Sequence, residues 1–162
     1  MTISVQEADF DTGAEISALT MEDPLAGAVA SFVGLVRADR LADQQVGASV
    51  AAQPAVTAMT LEHYPGMTEA ALADIVAAAR KRWELRGVRV IHRVGRLLPG
   101  ERIVFVGVAS AHRGDAFAAC EFIMDYLKTQ APFWKKEETP EGGRWVDART
   151  TDEHAAKRWQ PD

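Results

Sequence analysis

Ser110-Ala111-His112-Arg113 lies where an apolar run, Arg102 to Ala111, gives way to a helical pattern opening at Gly114-Asp115. The first N–H groups of a helix lack intrahelical partners, and the dipole is positive there. With an imidazole and a guanidinium beside it, that junction suits phosphate or another anion. The plainer alternative is a surface arginine paired with an acid and a histidine packed on the strand. Lys128 follows Met124 by four residues, so the two share a helix face that is otherwise apolar: Phe117, Cys120, Met124 and Leu127. An ammonium ending a buried stripe is partly desolvated, which lowers its pKa and suits proton transfer or nucleophilic work. Against this stands a last-turn lysine held by the dipole and snorkelling to water. Pro132-Phe133-Trp134-Lys135-Lys136-Glu137 sets two cations and a carboxylate among large aromatics. In a strand, Lys135 and Glu137 face one side and Trp134 and Lys136 the other. The aromatics could wall a flat ring ligand or fill the core. Arg37, ending an earlier apolar run, could converge on the same place or stand at an exposed edge.

Other chemistries lack their residues. There is no Gly-rich phosphate loop of the GxxxxGK type and no GxSxG elbow, and His63, His92, His112 and His154 have no metal-ligand spacing. Cys120 is the single cysteine, so neither a disulfide framework nor a cysteine-based zinc site forms within one chain. Inside an apolar stripe it reads as a small core hydrophobe.

The elements that must position these groups follow from periodicity. Ile3 to Val5 opens a strand, Asp11 and Thr12 start a helix ending near Thr20, and Ala26 to Val36 reads as a buried strand. Residues 38–55 have no period and are expected to form a long mobile loop. Val56 to Tyr64 alternates as a strand stopped by Pro65-Gly66. Thr68 then caps a helix with Leu72, Ile75, Val76, Ala79 and Trp83 on one face, closed by Gly87. Val88 to Arg93 and Arg102 to Ala111 pair as a hairpin around Leu98-Pro99-Gly100-Glu101. After the helix carrying Lys128, two short strands, Phe133 to Thr139 and Arg144 to Ala148, flank Pro140-Glu141-Gly142-Gly143. A last helix spans about 151–159. Helices and strands mix without regular βαβ alternation, which gives the class α+β.

The chain has 162 residues, 48% hydrophobic and 25% charged, enough for one compact domain over 1–162. No apolar run reaches the ~20 residues of a membrane helix, and the N-terminus lacks the pattern of a secretory signal. One cysteine fits a reducing, cytoplasmic setting. The net charge is −5. Residues 1–36 hold six acids and no Lys or Arg, whereas the remainder is nearly balanced. This is no nucleic-acid footprint, and any anion site must be assembled by folding.

At these residues the chain resembles the MoaE family, the large subunit of molybdopterin synthase. The matching stretches are Thr60-Leu-Glu-His-Tyr-Pro-Gly-Met-Thr-Glu69, Ile91-His-Arg-Val-Gly95, Ile103-Val-Phe-Val-Gly-Val108, Ser110-Ala-His-Arg113, Phe122-Ile-Met-Asp-Tyr-Leu-Lys-Thr129 and Ala131-Pro-Phe-Trp-Lys-Lys-Glu137. Arg144-Trp145-Val146 and Ala155-Ala-Lys-Arg-Trp159 also fit, so the resemblance runs from about Ala26 to Trp159. It implies an α/β hammerhead-like core with an additional small antiparallel β subdomain. It implies a cytoplasmic sulfurtransferase that acts on cyclic pyranopterin monophosphate and forms the dithiolene of molybdopterin. Sulfur arrives as a thiocarboxylate on the C-terminal glycine of a small ubiquitin-like carrier of the MoaD type. The large subunits form a homodimer within a heterotetramer, and the transfer is expected to need no cofactor or metal. The resemblance assigns Lys128 and Lys135 to catalysis. It assigns Arg37, His112, Arg113, Lys136, Glu137, Phe32 and Met124 to substrate binding, with some groups supplied across the dimer. The family often has a basic residue where Leu35 stands here, and that phosphate contact is lost.

Two other functions compete. A non-catalytic adaptor docking a ubiquitin-like tail needs an apolar groove and a strand edge, but not two lysines beside a phosphate-sized site. An isomerase or lyase using Lys128 as base would act with no protein partner.

Overall fold

A computed structural model describes residues 2–21, 23–38, 56–146 and 150–160, without the side chains of Thr150 and Thr151. The expected loop at 38–55 lies, beyond Ala38, outside the described residues. The elements are β1 (Ile3–Gln6), α1 (Thr12–Ala18), β2 (Ala28–Leu35), β3 (Ala58–His63), α2 (Met67–Arg82), β4 (Leu85–Arg93), β5 (Gly95–Leu97), β6 (Arg102–Ser110), α3 (Arg113–Gln130), β7 (Phe133–Thr139), β8 (Gly142–Val146) and α4 (Thr150–Lys157). They form two four-stranded sheets, ordered β1-β4-β6-β2 and β5-β3-β7-β8. β1 runs parallel to β4, and all other pairings are antiparallel. The class is α+β.

Alternation along the central strands divides the core. Val104, Val106 and Val108 of β6 and Val88 and Val90 of β4 turn to one face of the first sheet, where α2 and α3 cover them with Leu72, Ile75, Val76, Ala119, Ile123 and Leu127. Ile91 and Phe105 turn to the other face and meet Phe10, with Ile16 and Leu19 of α1 packed beside them. That side is tight: a Cβ on Gly107 would lie 2.6 Å from Leu19 Cδ1 and 2.8 Å from the Phe105 ring. A third cluster, Val36, Leu61 and Leu97, joins the end of β2 to the second sheet. Each fully buried large side chain contributes about 1.5–3 kcal/mol.

Several expectations change. β2 is not a buried strand: Phe32 and Leu35 are 41% and 51% exposed, because β2 lies at the sheet edge. α2 is capped not by Thr68 but at Gly66, whose positive φ of 83° sets the entry and whose N–H is accepted by the Glu69 carboxylate at 2.7 Å. Thr68 is buried as the second residue of the helix. Its hydroxyl accepts the Tyr64 N–H and donates to the Pro132 carbonyl, tying α2 to the start of β7. α2 ends at Arg82, and Trp83 is extended. Gly87 does not stop the helix but sits inside β4 at a register shift, where a side chain would meet Leu19. The hairpin of β4 and β6 forms, but β5 between them leaves to pair with β3. Phe117 lies on the open side of α3, 66% exposed. β8 starts at Gly142, two residues before the expected Arg144.

α4 and the turn after it clasp α3 through one carboxylate. Asp125 Oδ2 accepts from Arg158 Nη2 at 2.6 Å and from Trp159 Nε1 at 2.7 Å. The Trp159 ring meets Trp83 and Phe122 edge-on.

Candidate active site

α3 runs alongside β2 over the same face of the first sheet, and the chain's candidate residues fall at its two ends. His112 is the N-cap of α3 and Arg113 its first residue. Both are exposed, and among the described residues neither side chain has a hydrogen bond or ion pair. Behind them Ser110 is buried, its hydroxyl donating to the Glu84 carbonyl at 3.0 Å. This end is therefore an open, positively charged helix N-terminus.

Lys128 lies in the last turn, 15 residues from Arg113, which at the rise of an α-helix is about 22 Å. Its ammonium is 3.8 Å from Asp152 Oδ1 and its side chain is 42% exposed. The expected desolvation is not met, and the snorkelling alternative describes its surroundings better. Met124, one turn earlier, belongs to the main core at 7% exposure. Leu35, the last residue of β2, pairs with Arg102 at the start of β6, the end of that strand remote from the start of α3. Phe32 is on the helix-covered face, opposite Val106, and its ring edge lies over Gly34. Arg37 follows, exposed.

β7 reaches the same region through a ring stack that the sequence did not announce. His92, Val104 and Gly34 stand abreast across β4, β6 and β2. The His92 ring stacks on Phe133 with centroids 3.7 Å apart and planes 17° from parallel. Burial pushes its pKa down to about 3, and the nearby positive charges of Lys135 and His63 add to this. The ring is therefore neutral. Its Nδ1 is 2.8 Å from the Arg93 carbonyl, so Nδ1 carries the proton and donates it. Lys135 stands opposite Leu61 and Glu137 opposite Met59, on the Phe133 side of β7. Glu137 Oε2 accepts from Arg144 at 3.4 Å. Lys136 turns to the other side, its ammonium 5.8 Å over the Trp145 ring. Lys128 and Met124 thus lie toward the C-terminal end of α3, and Lys135 lies on β7 opposite Leu61, which packs with Val36 beside Arg37. The fold holds His112 and Arg113 at the opposite end of α3 and turns Lys136 away.

Sequence reasoning missed His92 and His63 as neighbours of Lys135. Their only sequence signal was a histidine alternating with core residues in a strand. Two surface clefts elsewhere contain none of the predicted residues. One, about 420 Å³, lies beside the Asp9–Arg102 ion pair, and the other, about 640 Å³, lies between α1 and β4. Cys120 is buried, with its thiol pushed up to about 11 by burial, as befits a core residue. Among the described residues no three His, Cys, Asp or Glu side chains are grouped to hold a metal ion, and no helix is long and apolar enough to cross a membrane.

Comparison with known proteins gives this geometry a family. The family model described as "MoaE protein" matches residues 5–130. The molybdopterin synthase catalytic subunit of Ralstonia nicotianae is 63% identical over 158 residues, covering 98% of this chain and 84% of its own. The solved molybdopterin biosynthesis MoaE protein of Burkholderia ambifaria is 55% identical, with a TM-score of 0.78 over 98% of this chain and 97% of its own. A chain of the Helicobacter pylori complex of subunits 1 and 2 of molybdopterin-converting factor shares the fold at 17% identity, with a TM-score of 0.69 over 91% of each chain. On the strength of the family model and these identities, the chain belongs to the MoaE family.

Proposed function

We propose that this chain is the catalytic part of a molybdopterin synthase. It moves sulfur from the C-terminal thiocarboxylate of a small ubiquitin-like carrier of the MoaD type onto cyclic pyranopterin monophosphate, forming the dithiolene of molybdopterin in the cytoplasm. What supports the reading is that Arg37 follows Val36, which packs on Leu61, that Leu61 stands opposite Lys135 in β7, and that Lys128 closes the helix leading into β7. Thiocarboxylate, phosphate and pterin oxygens are anionic or electron-rich, and a cluster of cations is what such a reaction needs.

Lys128 stabilises the negative charge that develops as the thiocarboxylate sulfur bonds to the pterin side chain. Its Asp152 contact is long enough to be exchanged for substrate. Lys135 orients substrate and carrier tail. Glu137, anchored by Arg144, positions a lysine or reads an edge of the pterin. Phe32 and Met124 present apolar surface to the ring, and Lys136 is left to the outer face. His112, Arg113 and Arg37 hold phosphate. Because Arg113 and Lys128 of one chain are about 22 Å apart, one small ligand cannot touch both. The working unit is therefore a homodimer, with a carrier subunit on each protomer in a heterotetramer. The Helicobacter pylori chain of the same fold is itself part of a two-subunit complex.

The test is Lys128→Ala in a sulfur-transfer assay with thiocarboxylated carrier and the cyclic pterin phosphate. Removing a cation that acts on developing charge should lower the rate by about 10²–10³-fold. Product formation near the wild-type rate would overturn the assignment.

A further inference from the structure

The ring stack beneath β7 leaves one polar atom unaccounted for. His92 lies on an inner strand of the first sheet, in a row with Val5, Val104 and Gly34, and is 5% exposed. Its Nδ1–H donates to the Arg93 carbonyl, which leaves Nε2 as an acceptor. Among the described residues nothing donates to it. A buried acceptor without a donor is destabilising, and such atoms are rare in folded proteins. Val88 and Val90, which precede His92 on the same face of β4, carry no such atom. Two groups able to donate lie within electrostatic range of the ring, the Lys135 ammonium and the His63 imidazole, and the lysine bears on it more strongly. His63 has a partner of its own, with Nε2 3.8 Å from Glu69 Oε1. Lys135 follows Phe133 by two residues on the same side of β7, about 6.6 Å along the strand, a distance that its four-carbon stem spans. Both ends of that short path are fixed. The Phe133 ring is stacked on His92 at 3.7 Å, and the Pro132 carbonyl just before it is held by the Thr68 hydroxyl.

We propose that His92 is the positioning residue for Lys135: with substrate bound, its Nε2 accepts a hydrogen bond from the Lys135 ammonium and aims that ammonium at the reacting groups. This rests on the sulfur-transfer reading and deepens it. A neutral imidazole suits the task better than a carboxylate. Burial holds the ring neutral, so it takes a hydrogen bond without taking the proton and without cancelling the charge. Lys135 then keeps the full cation that a thiocarboxylate or a phosphate needs. A carboxylate in the same place would form an ion pair, as Asp152 does with Lys128, and would compete with an anionic substrate. Glu137, on the same side of β7, has Arg144 as its partner.

The experiment places His92→Phe, which keeps a ring on Phe133 but has no acceptor, in two backgrounds. In the otherwise wild-type chain it should lower kcat for sulfur transfer by about tenfold, the loss of one hydrogen bond, and change KM for the carrier by less than about twofold. In Lys135→Ala it should lower the residual rate by less than about twofold, because the group that His92 aims is gone. A tenfold loss in both backgrounds means a purely structural role and overturns the proposal, as does no loss in the first. A second measurement needs no change at position 92 and decides the matter even where His92→Phe does not fold. The nitrogen NMR resonance of His92 Nε2, in the full chain with carrier bound, should move upfield when cyclic pterin phosphate is added. That movement should vanish in Lys135→Ala. A resonance that stays still in the wild type, or moves equally in both chains, overturns the proposal. So does a movement abolished by His63→Gln and kept in Lys135→Ala, which would make His63 the donor. A wild type that transfers no sulfur overturns the proposed function and this inference with it, whereas the other adverse outcomes, in an active wild type, overturn the inference alone.

Discussion

Lowering the pH from 7 to 5 should cost this protein about 2 kcal/mol of stability through one side chain, His92. In the folded chain its pKa is depressed to about 3, against an ordinary value of 6.5, because the ring is buried beneath Phe133 and near the charges of Lys135 and His63. Between those two values the unfolded chain binds a proton that the folded chain refuses. Stability is therefore full above pH 6.5 and falls steadily as the pH drops toward 3. Taking the two pKa values, the unfolded state gains about 2 kcal/mol on going from pH 7 to pH 5, on the order of 4–8 °C in Tm for a chain of this size. The depressed carboxylates do not confuse this window. Asp9, lowered to about 2 by Arg102, and Glu101, lowered by the Leu98 N–H, start from ordinary values of 3.8 and 4.5 and stay largely ionised in both states above pH 5. Urea unfolding at pH 8, 7, 6 and 5 measures the effect, with His92→Phe as the control. That variant keeps a ring on Phe133 but loses the bond to the Arg93 carbonyl, so it should be less stable at pH 7 and above by about 1–3 kcal/mol, a deficit that closes as the pH falls. Its slope between pH 7 and 5 should be smaller than that of the wild type by the His92 share. A wild-type stability that is flat across this window, or an identical slope in His92→Phe, would refute the reasoning.

Asp125→Ala removes the acceptor shared by Arg158 and Trp159. It should destabilise the chain by about 1–3 kcal/mol and release its C-terminal helix to proteolysis before the rest unfolds. Gly107→Ala puts a methyl group against Leu19 and the Phe105 ring. Overpacking of that kind should lower stability by about 1–3 kcal/mol in urea titrations, and an unchanged midpoint would mean that α1 can shift at no cost.

Much of the chain was legible one element at a time. Asp11 does cap α1, accepting the Ala14 N–H, and the alternation of β4 and β6 and the stripe of α3 are where periodicity put them. These features are local: a cap needs three residues, and a buried face needs only a repeat of two or 3.6. Errors arose where distant packing overrode a local signal. Thr68 looks like a cap but is used to hold Pro132, and Gly87 looks like a helix stop but makes room for Leu19 inside a strand. Phe117 shares the stripe's spacing, yet among the described residues its side chain is left largely exposed.

The candidate residues divide in the same way. Residue types, their order and the family resemblance all reside in the sequence, which by itself determined that His-Arg opens a helix, that a lysine closes it and that a second lysine follows in a strand. Only the tertiary structure decided which of them meet. It set Phe133, two residues before Lys135, against His92 in a ring stack, turned Lys136 outward by strand alternation, and kept Arg113 a helix length away from Lys128. The physical reason is range. Helix and strand periods act over a few residues, whereas a ring stack, a sheet register and an unpaired edge are set by parts of the chain that meet only after folding.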